Sequence, residues 1–474
     1  MTPVRPLRTN NVVGSRWPVA VIANETETTM SLTPKRSLTV GAAVLAGALA
    51  LTACGSSGPN QTSGSSGGGG SSTATMWGLS QAPFQGVLDT SVQSWNDANP
   101  DSPIDVEFFA GEDYKPKVRT AIGAGSAPTF IYGWGGGVLK SYVDEGKVLD
   151  LTPYIEENPE LKDRYLEAVY ENGTVDGKPY ALPNSYSQPV MLYYNKTLFE
   201  EAGVEPPETW DDLMDLVDVF KKEGVAPFSV GGQSRWPELM WLSYLVDRIG
   251  GPEVFESILN NEPEAWSDPA VIEALTKIQE LVRAGGFIDG FSSVAADNRA
   301  DQALLYTGRA AMMVHLAGAY SGIKGDAPDF VANDELGYTR FPAVEGGEGD
   351  PENVIGNPSN FWSISADASE EQIDTAIGYL TDEMFSDEYV DSIIEAGSVP
   401  ALVDVKDKLS QSENKDFMET IYEYASSAPN FQLSWDQALA PEQGEAMLTN
   451  LALIFLDQQT PEEFADAMNA TLAP

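Results

Sequence analysis

The sequence has few of the residues that most enzymes use. Among 474 residues there is one cysteine, Cys54, and one histidine, His315. A single cysteine excludes an internal disulfide and a cysteine-held metal cluster. A single histidine excludes paired-histidine zinc sites, and a serine–histidine triad would have to run through His315. The body of the chain, from about residue 73, carries neither a G-x-S-x-G turn nor a phosphate-cradling G-x-x-x-x-G-K-[ST] loop. Basic residues are also scarce: 27 Lys and Arg face 71 Asp and Glu, a formal net charge of −44. Such a surface repels nucleic acid and anionic headgroups. The acids are scattered along helical segments, which fits solvated helix faces rather than one acidic patch. No catalytic residue, metal set or cofactor is predicted. A pair of carboxylates could still serve a glycosidase, so a secreted glycoside-acting enzyme remains an alternative.

One apolar run is present, residues 37–51 (SLTVGAAVLAGALAL), after Lys35 and Arg36. It is too short to span a bilayer comfortably and is positively flanked on one side only, the pattern of a secretion signal. It closes in Leu51-Thr52-Ala53-Cys54, which resembles the lipobox of bacterial lipoproteins, where the cysteine thiol receives a diacylglycerol and becomes the first residue. The resemblance implies lipidation at Cys54 and a protein held at the extracellular face of the cytoplasmic membrane. Met30 would make a natural start, because residues 1–29 show no periodicity. Processing would remove five basic and two acidic residues and leave a charge near −47. Residues 1–53 are therefore read as extension and signal peptide. The Gly/Ser-rich stretch 54–72 is read as a flexible tether.

The body opens with alternating strand and helix signals. Thr75, Met76 and Trp77 precede a helical spacing of Leu88, Val92 and Trp95 that stops at Asn99-Pro100; Ile104, Val106 and Phe108 then alternate as a half-buried strand. Residues 129–132 supply another strand. Further on, Thr209-Trp210-Asp211-Asp212 starts a helix with inner face Leu213, Leu216, Val217 and Phe220, ended by Gly224. Val271, Ile272, Leu275, Ile278 and Val282 form a second such face. Thr460-Pro461-Glu462-Glu463 reads as a capping box with proline in the first turn. The fold class is α/β, with mainly parallel sheets flanked by helices.

Four blocks, in order, resemble the maltose-binding-protein-like solute-binding proteins of bacterial carbohydrate importers. They are KVRTAIGAGSAPTFIYGWGGGVLKSYVDEGKVLDL from Lys117, YALPNSYSQPVMLYYNK from Tyr180 (continued by LFEEAGVEPPETWDDL), YTGRAAMM from Tyr306, and GNPSNFWSI from Gly356. The resemblance implies a two-lobed periplasmic-binding-protein-like (type II) fold with hinge strands and ligand in the cleft. Lobe 1 is expected at 73–185 plus 355–398, and lobe 2 at 186–354 plus 399–474. It also implies a monomer that binds a di- or oligosaccharide and delivers it to the permease of an ABC importer. Xylo-oligosaccharides are slightly preferred, and a polyamine is the non-sugar alternative in so acidic a protein.

A sugar presents C–H ring faces and many hydroxyls, so its site combines flat aromatic platforms with planar polar groups. Trp134 with Gly135 lies in a glycine-rich turn, and Gln233, Arg235 and Trp236 lie in Gly-Gly-Gln-Ser-Arg-Trp-Pro. Tyr186 sits in the first expected crossing between lobes, and Asn360 and Phe361 in the return. Trp77 and Gln81 follow the first strand, and Trp435 occupies a late loop. Tyr320 is a substitute for an aromatic that the family usually carries after its A-A-M strand. Trp241 and Trp362 are assigned to the core.

Overall fold

The computed structural model describes residues 73–80 and 82–472. Cys54, Gln81 and the expected leader and tether lie outside the described residues.

Eleven strands build two open sheets. In chain order they are β1 (Ala74–Leu79), β2 (Ile104–Phe109), β3 (Phe130–Gly133), β4 (Leu182–Pro183), β5 (Gln188–Asn195), β6 (Ala226–Ser229), β7 (Ala310–Leu316), β8 (Leu336–Thr339), β9 (Val354–Asn357), β10 (Phe361–Ile364) and β11 (Phe431–Leu433). The first sheet runs β2-β1-β3-β10-β4. The second runs β11-β9-β5-β7-β6, with β8 paired to β5 beyond β9. Parallel pairs β1–β2, β1–β3, β9–β11 and β6–β7 are joined by antiparallel ones at β3–β10, β10–β4, β9–β5 and β5–β7. The sheets are thus mixed rather than mainly parallel. The antiparallel partners β4, β5, β9 and β10 are those on either side of a crossing, where the chain leaves one sheet and enters the other.

The crossings are three. Residues 184–187 lead from β4 to β5 and residues 358–360 from β9 to β10. A third stretch near 398–401 pairs with the first, where Ser187 N–H donates to the Val399 carbonyl (2.9 Å); the first also pairs with the second, where Asn184 N–H donates to the Asn360 carbonyl (2.8 Å). The expected return at residue 355 falls within β9, a strand of the second sheet, and the chain re-enters the first sheet at Phe361.

Helix limits follow the local chemistry. The helix Trp210–Glu223 is capped reciprocally by Thr209 and Asp212, buries Leu213, Leu216, Val217 and Phe220, and ends at left-handed Gly224. The helix Pro461–Asn469 carries the same box between Thr460 and Glu463. Pro269–Arg283 buries Val271, Leu275 and Ile278, while Ile272 and Val282 are only half-buried. No helix among the described residues is long and apolar enough to cross a membrane.

Candidate functional site

The first three strands are parallel, so their C-terminal ends open on the same side; ligands of α/β sheets gather at such ends. Leu79, Gly111 and Trp134 follow or close these three ends, and all line a cleft of about 440 Å³. The second lobe supplies the facing wall: Trp236 and Met240 from the start of the helix Trp236–Gly250, residues 296–299, His315 near the end of β7, and Ser434, Asp436 and Gln437 after β11. The floor is made by Tyr186, Gln188, Asn357 and Asn360, at the crossings.

Two tryptophans face this space from opposite lobes. Trp134 is half-buried and held edge-on by Tyr132 at 5.5 Å and Tyr114 at 6.2 Å. Tyr114 is fixed in turn, its hydroxyl donating to the Tyr132 carbonyl at 2.7 Å. Lys115 Nζ lies 5.5 Å from the Trp134 ring centre, a cation–π distance. Trp236 packs edge-on against His315 at 5.1 Å. His315 Nε2 is 3.5 Å from the fully buried Asp301 carboxylate. This rigid support leaves each indole as a preformed platform.

The same cleft is lined by planar amides with unused capacity. Gln302 Oε1, Asn357 Oδ1 and Asn360 Oδ1 are buried with no hydrogen-bond partner among the described residues. Buried polar atoms are rarely left unpaired, so three at one cleft mark places where a hydroxyl or a water completes the bonding. Asp436 accepts from Ser434 Oγ (2.9 Å) and from Gln437 Nε2 (2.7 Å), which orients both at the rim. Burial pushes the Tyr186 phenol up to about 12, so it stays neutral. Beneath the Trp236 turn, Glu238 is 2% exposed. Burial pushes its carboxyl up to about 8, an effect the nearby Arg235 charge partly offsets.

Four of the residues singled out from sequence meet at the cleft: Trp134, Tyr186, Trp236 and Asn360. Others are placed elsewhere. Trp435 is fully buried, stacked on Phe255 at 4.2 Å, with its indole N–H on Gln432; its neighbours, not its own ring, reach the cleft. Tyr320 stacks on Phe417 at 3.8 Å and donates to Asn414. Phe361 is 1% exposed and packs beneath Gly135 and Gly173, so Gly135 serves close packing rather than the cleft lining. Trp77 pairs with Phe109 and Lys117 and does not line the cleft. Gln233 is exposed, and Arg235 turns away to Glu445 (2.8 Å) and Thr449. Trp241 and Trp362 are fully buried, as assigned.

Sequence reasoning missed residues 296–299, Gln302, Asn357 and Gln437. Asn357 had a usable signal, since it shares the Gly356-Asn357-Pro358-Ser359-Asn360 block with Asn360. Residues 296–299 sit in a short 3-10 turn without periodicity, and only the folded chain brings them to the cleft.

The sequence profile described as bacterial extracellular solute-binding protein matches residues 77–384. The chain belongs to that family. Its members are binding proteins rather than enzymes. The chain is 28% identical over 331 residues to a probable sugar-binding periplasmic protein of Mesorhizobium japonicum, covering 68% of this chain and 72% of the relative. It spans about half the length of other curated relatives it matches, such as two ABC transporter extracellular-binding proteins of Pyrococcus horikoshii, each 26% identical (46% and 51% of their lengths). Among solved structures, it is similar to a protein from work on xylan utilization by the thermophilic bacterium Caldanaerobius polysaccharolyticus. The TM-score there is 0.75 at 28% identity, over 85% of this chain and all of that one. A chitin oligosaccharide binding protein shares the fold, with a TM-score of 0.76 at 24% identity over 84% and 98% of the two chains.

Proposed function

We propose that this family member captures an uncharged di- or oligosaccharide between its lobes and delivers it to the membrane permease of an ABC importer. The observation that carries the reading is the pair of indoles, Trp134 and Trp236, facing from opposite lobes one cleft that is also lined by buried amides with unused bonding capacity. Aromatic faces take sugar C–H faces, and amides exchange paired hydrogen bonds with vicinal hydroxyls. Because the two walls belong to different lobes, a bound sugar stabilises the closed arrangement: only there are both sets of contacts made. The similarity to a protein from xylan-utilization work, at full coverage of that chain, supports a slight preference for xylo-oligosaccharides.

ATP hydrolysis belongs to separate cytoplasmic subunits in this reading. The lipobox-like Leu51-Thr52-Ala53-Cys54 and the Gly/Ser tract after it support tethering beside the permease. Mass spectrometry of membrane-extracted protein should show a diacylglyceryl adduct on Cys54, and Cys54→Ser should release the protein to the medium.

A thermal-shift panel of mono-, di- and trisaccharides, with spermidine and putrescine alongside, tests the ligand class. A sugar-specific rise in Tm that grows with concentration supports the reading. A rise with polyamines alone, or release of shorter sugars on incubation, would overturn it.

A further inference from the structure

Two of the contacts between the lobes lie, by sheet order, at opposite ends of the cleft. At one end, the strand at the β6 edge of the second sheet is followed by the turn packed against residues 296–299. Arg299 from that segment donates Nη1 to the carbonyl of Ala82, just after β1 (3.3 Å). Its Nε and Nη2 are held by Asp326 of its own lobe at 2.9 and 3.0 Å, a forked pairing that fixes the guanidinium. Two residues earlier, the Asp297 carboxylate lies against Gly111 at the end of β2; a Cβ there would sit 3.5 Å from Oδ1. Ala82, Gly111, Asp297 and Arg299 all line the cleft.

At the other end, the β11 edge of the second sheet meets the turn after β3. Gly136 and Gly137 at the start of the helix Gly136–Asp144 lie so close to Leu433 and to the Gln437, Ala438 and Leu439 backbone that any Cβ at either glycine would overlap them. Glycine is required here for close approach across the interface between lobes.

We propose that these two contacts are end walls, which bound the cleft at both ends so that it takes a short sugar of about two rings and excludes longer chains. The volume points the same way, since about 440 Å³ lies in the lower part of the usual range for ligand pockets. So does the number of platforms, one indole for each ring. The inference rests on the sugar reading and adds a chain-length limit to it. Closing either wall on a longer oligomer would require a ring to occupy the space of Arg299 and Ala82 or of Gly137 and Ala438.

The test is calorimetric titration of the purified chain with linear series of one to six units, using β-1,4-xylo-oligosaccharides, malto-oligosaccharides and N-acetylchito-oligosaccharides. In whichever series binds, affinity should peak at two or three units and fall at least about tenfold by six. Affinity that stays level or rises to the hexamer would overturn the end walls while leaving the sugar reading intact. No binding in any series would overturn both. Arg299→Gly, which removes the guanidinium and suits the residue's left-handed backbone (φ 61°), should raise the ratio of hexamer to dimer affinity at least about fivefold. An unchanged ratio in the folded variant would also count against the wall.

Discussion

Trp236 and Trp435 are both tryptophans at the first position of a helix, yet their surroundings give them opposite roles. Trp236 is half-buried, packs T-shaped with His315 and lines the cleft. Its replacement by alanine should weaken sugar binding by at least ~1 kcal/mol, in the range for a stacking aromatic, with little loss of Tm. Trp435 is sealed between Phe255 and Trp266. Trp435→Ala should cost about 3–5 kcal/mol of stability, read by chemical denaturation, because it leaves a large cavity in the core. Glu238 makes a third case. Its carboxyl is held near 8 by burial, well above an unfolded glutamate, so the folded state binds the extra proton. Its contribution is complete below the unfolded value and is lost as pH rises through about 8. Glu238→Gln should therefore flatten the fall in Tm between pH 5 and 8.5 and raise Tm at the alkaline end; an unaltered profile would show that Glu238 is solvated.

The elements carry a prediction of a different kind. Gly137 lies in the first turn of a helix, where alanine is normally an improvement. Across the cleft, however, a Cβ at this position meets the Ala438 and Leu439 carbonyls. Gly137→Ala should leave the ligand-free protein as stable as the wild type or slightly more so. It should also weaken sugar binding several-fold, since a Cβ there keeps the lobes from the close approach seen in this structure. Calorimetry together with ligand-free Tm separates these effects. At this scale the sequence was readable wherever a signal is local. Thr209, Gly224 and Thr460 mark helix limits through bonds to residues a few positions away. β9 was less readable: Val354–Asn357 belongs to the second sheet through partners at Gln188 and Phe431, far away in the chain. No local pattern distinguishes it from β10.

For the whole molecule, two lobes on three crossing segments imply a hinge. Saturating sugar should reduce the radius of gyration in small-angle scattering and raise Tm with the logarithm of ligand concentration. The crossings suit bending: the side-chain amide of Asn184 and the hydroxyls of Ser185 and Ser187 are buried without partners among the described residues, so polar groups rather than an interlocked apolar core lie at the pivot.

The amino-acid sequence alone determined what chemistry is missing, the α/β alternation, the helix caps and, through four ordered blocks, membership of a two-lobed family. These depend on composition or on neighbours within a few residues. Tertiary structure alone decided which aromatics face the cleft. Tyr320 met Phe417, Trp435 met Phe255 and Arg235 met Glu445, and each was drawn away by a partner distant in the chain. An aromatic or arginine at the end of an element can satisfy itself in a core, in an ion pair or against a ligand. The choice among these is set by what the rest of the chain brings to it.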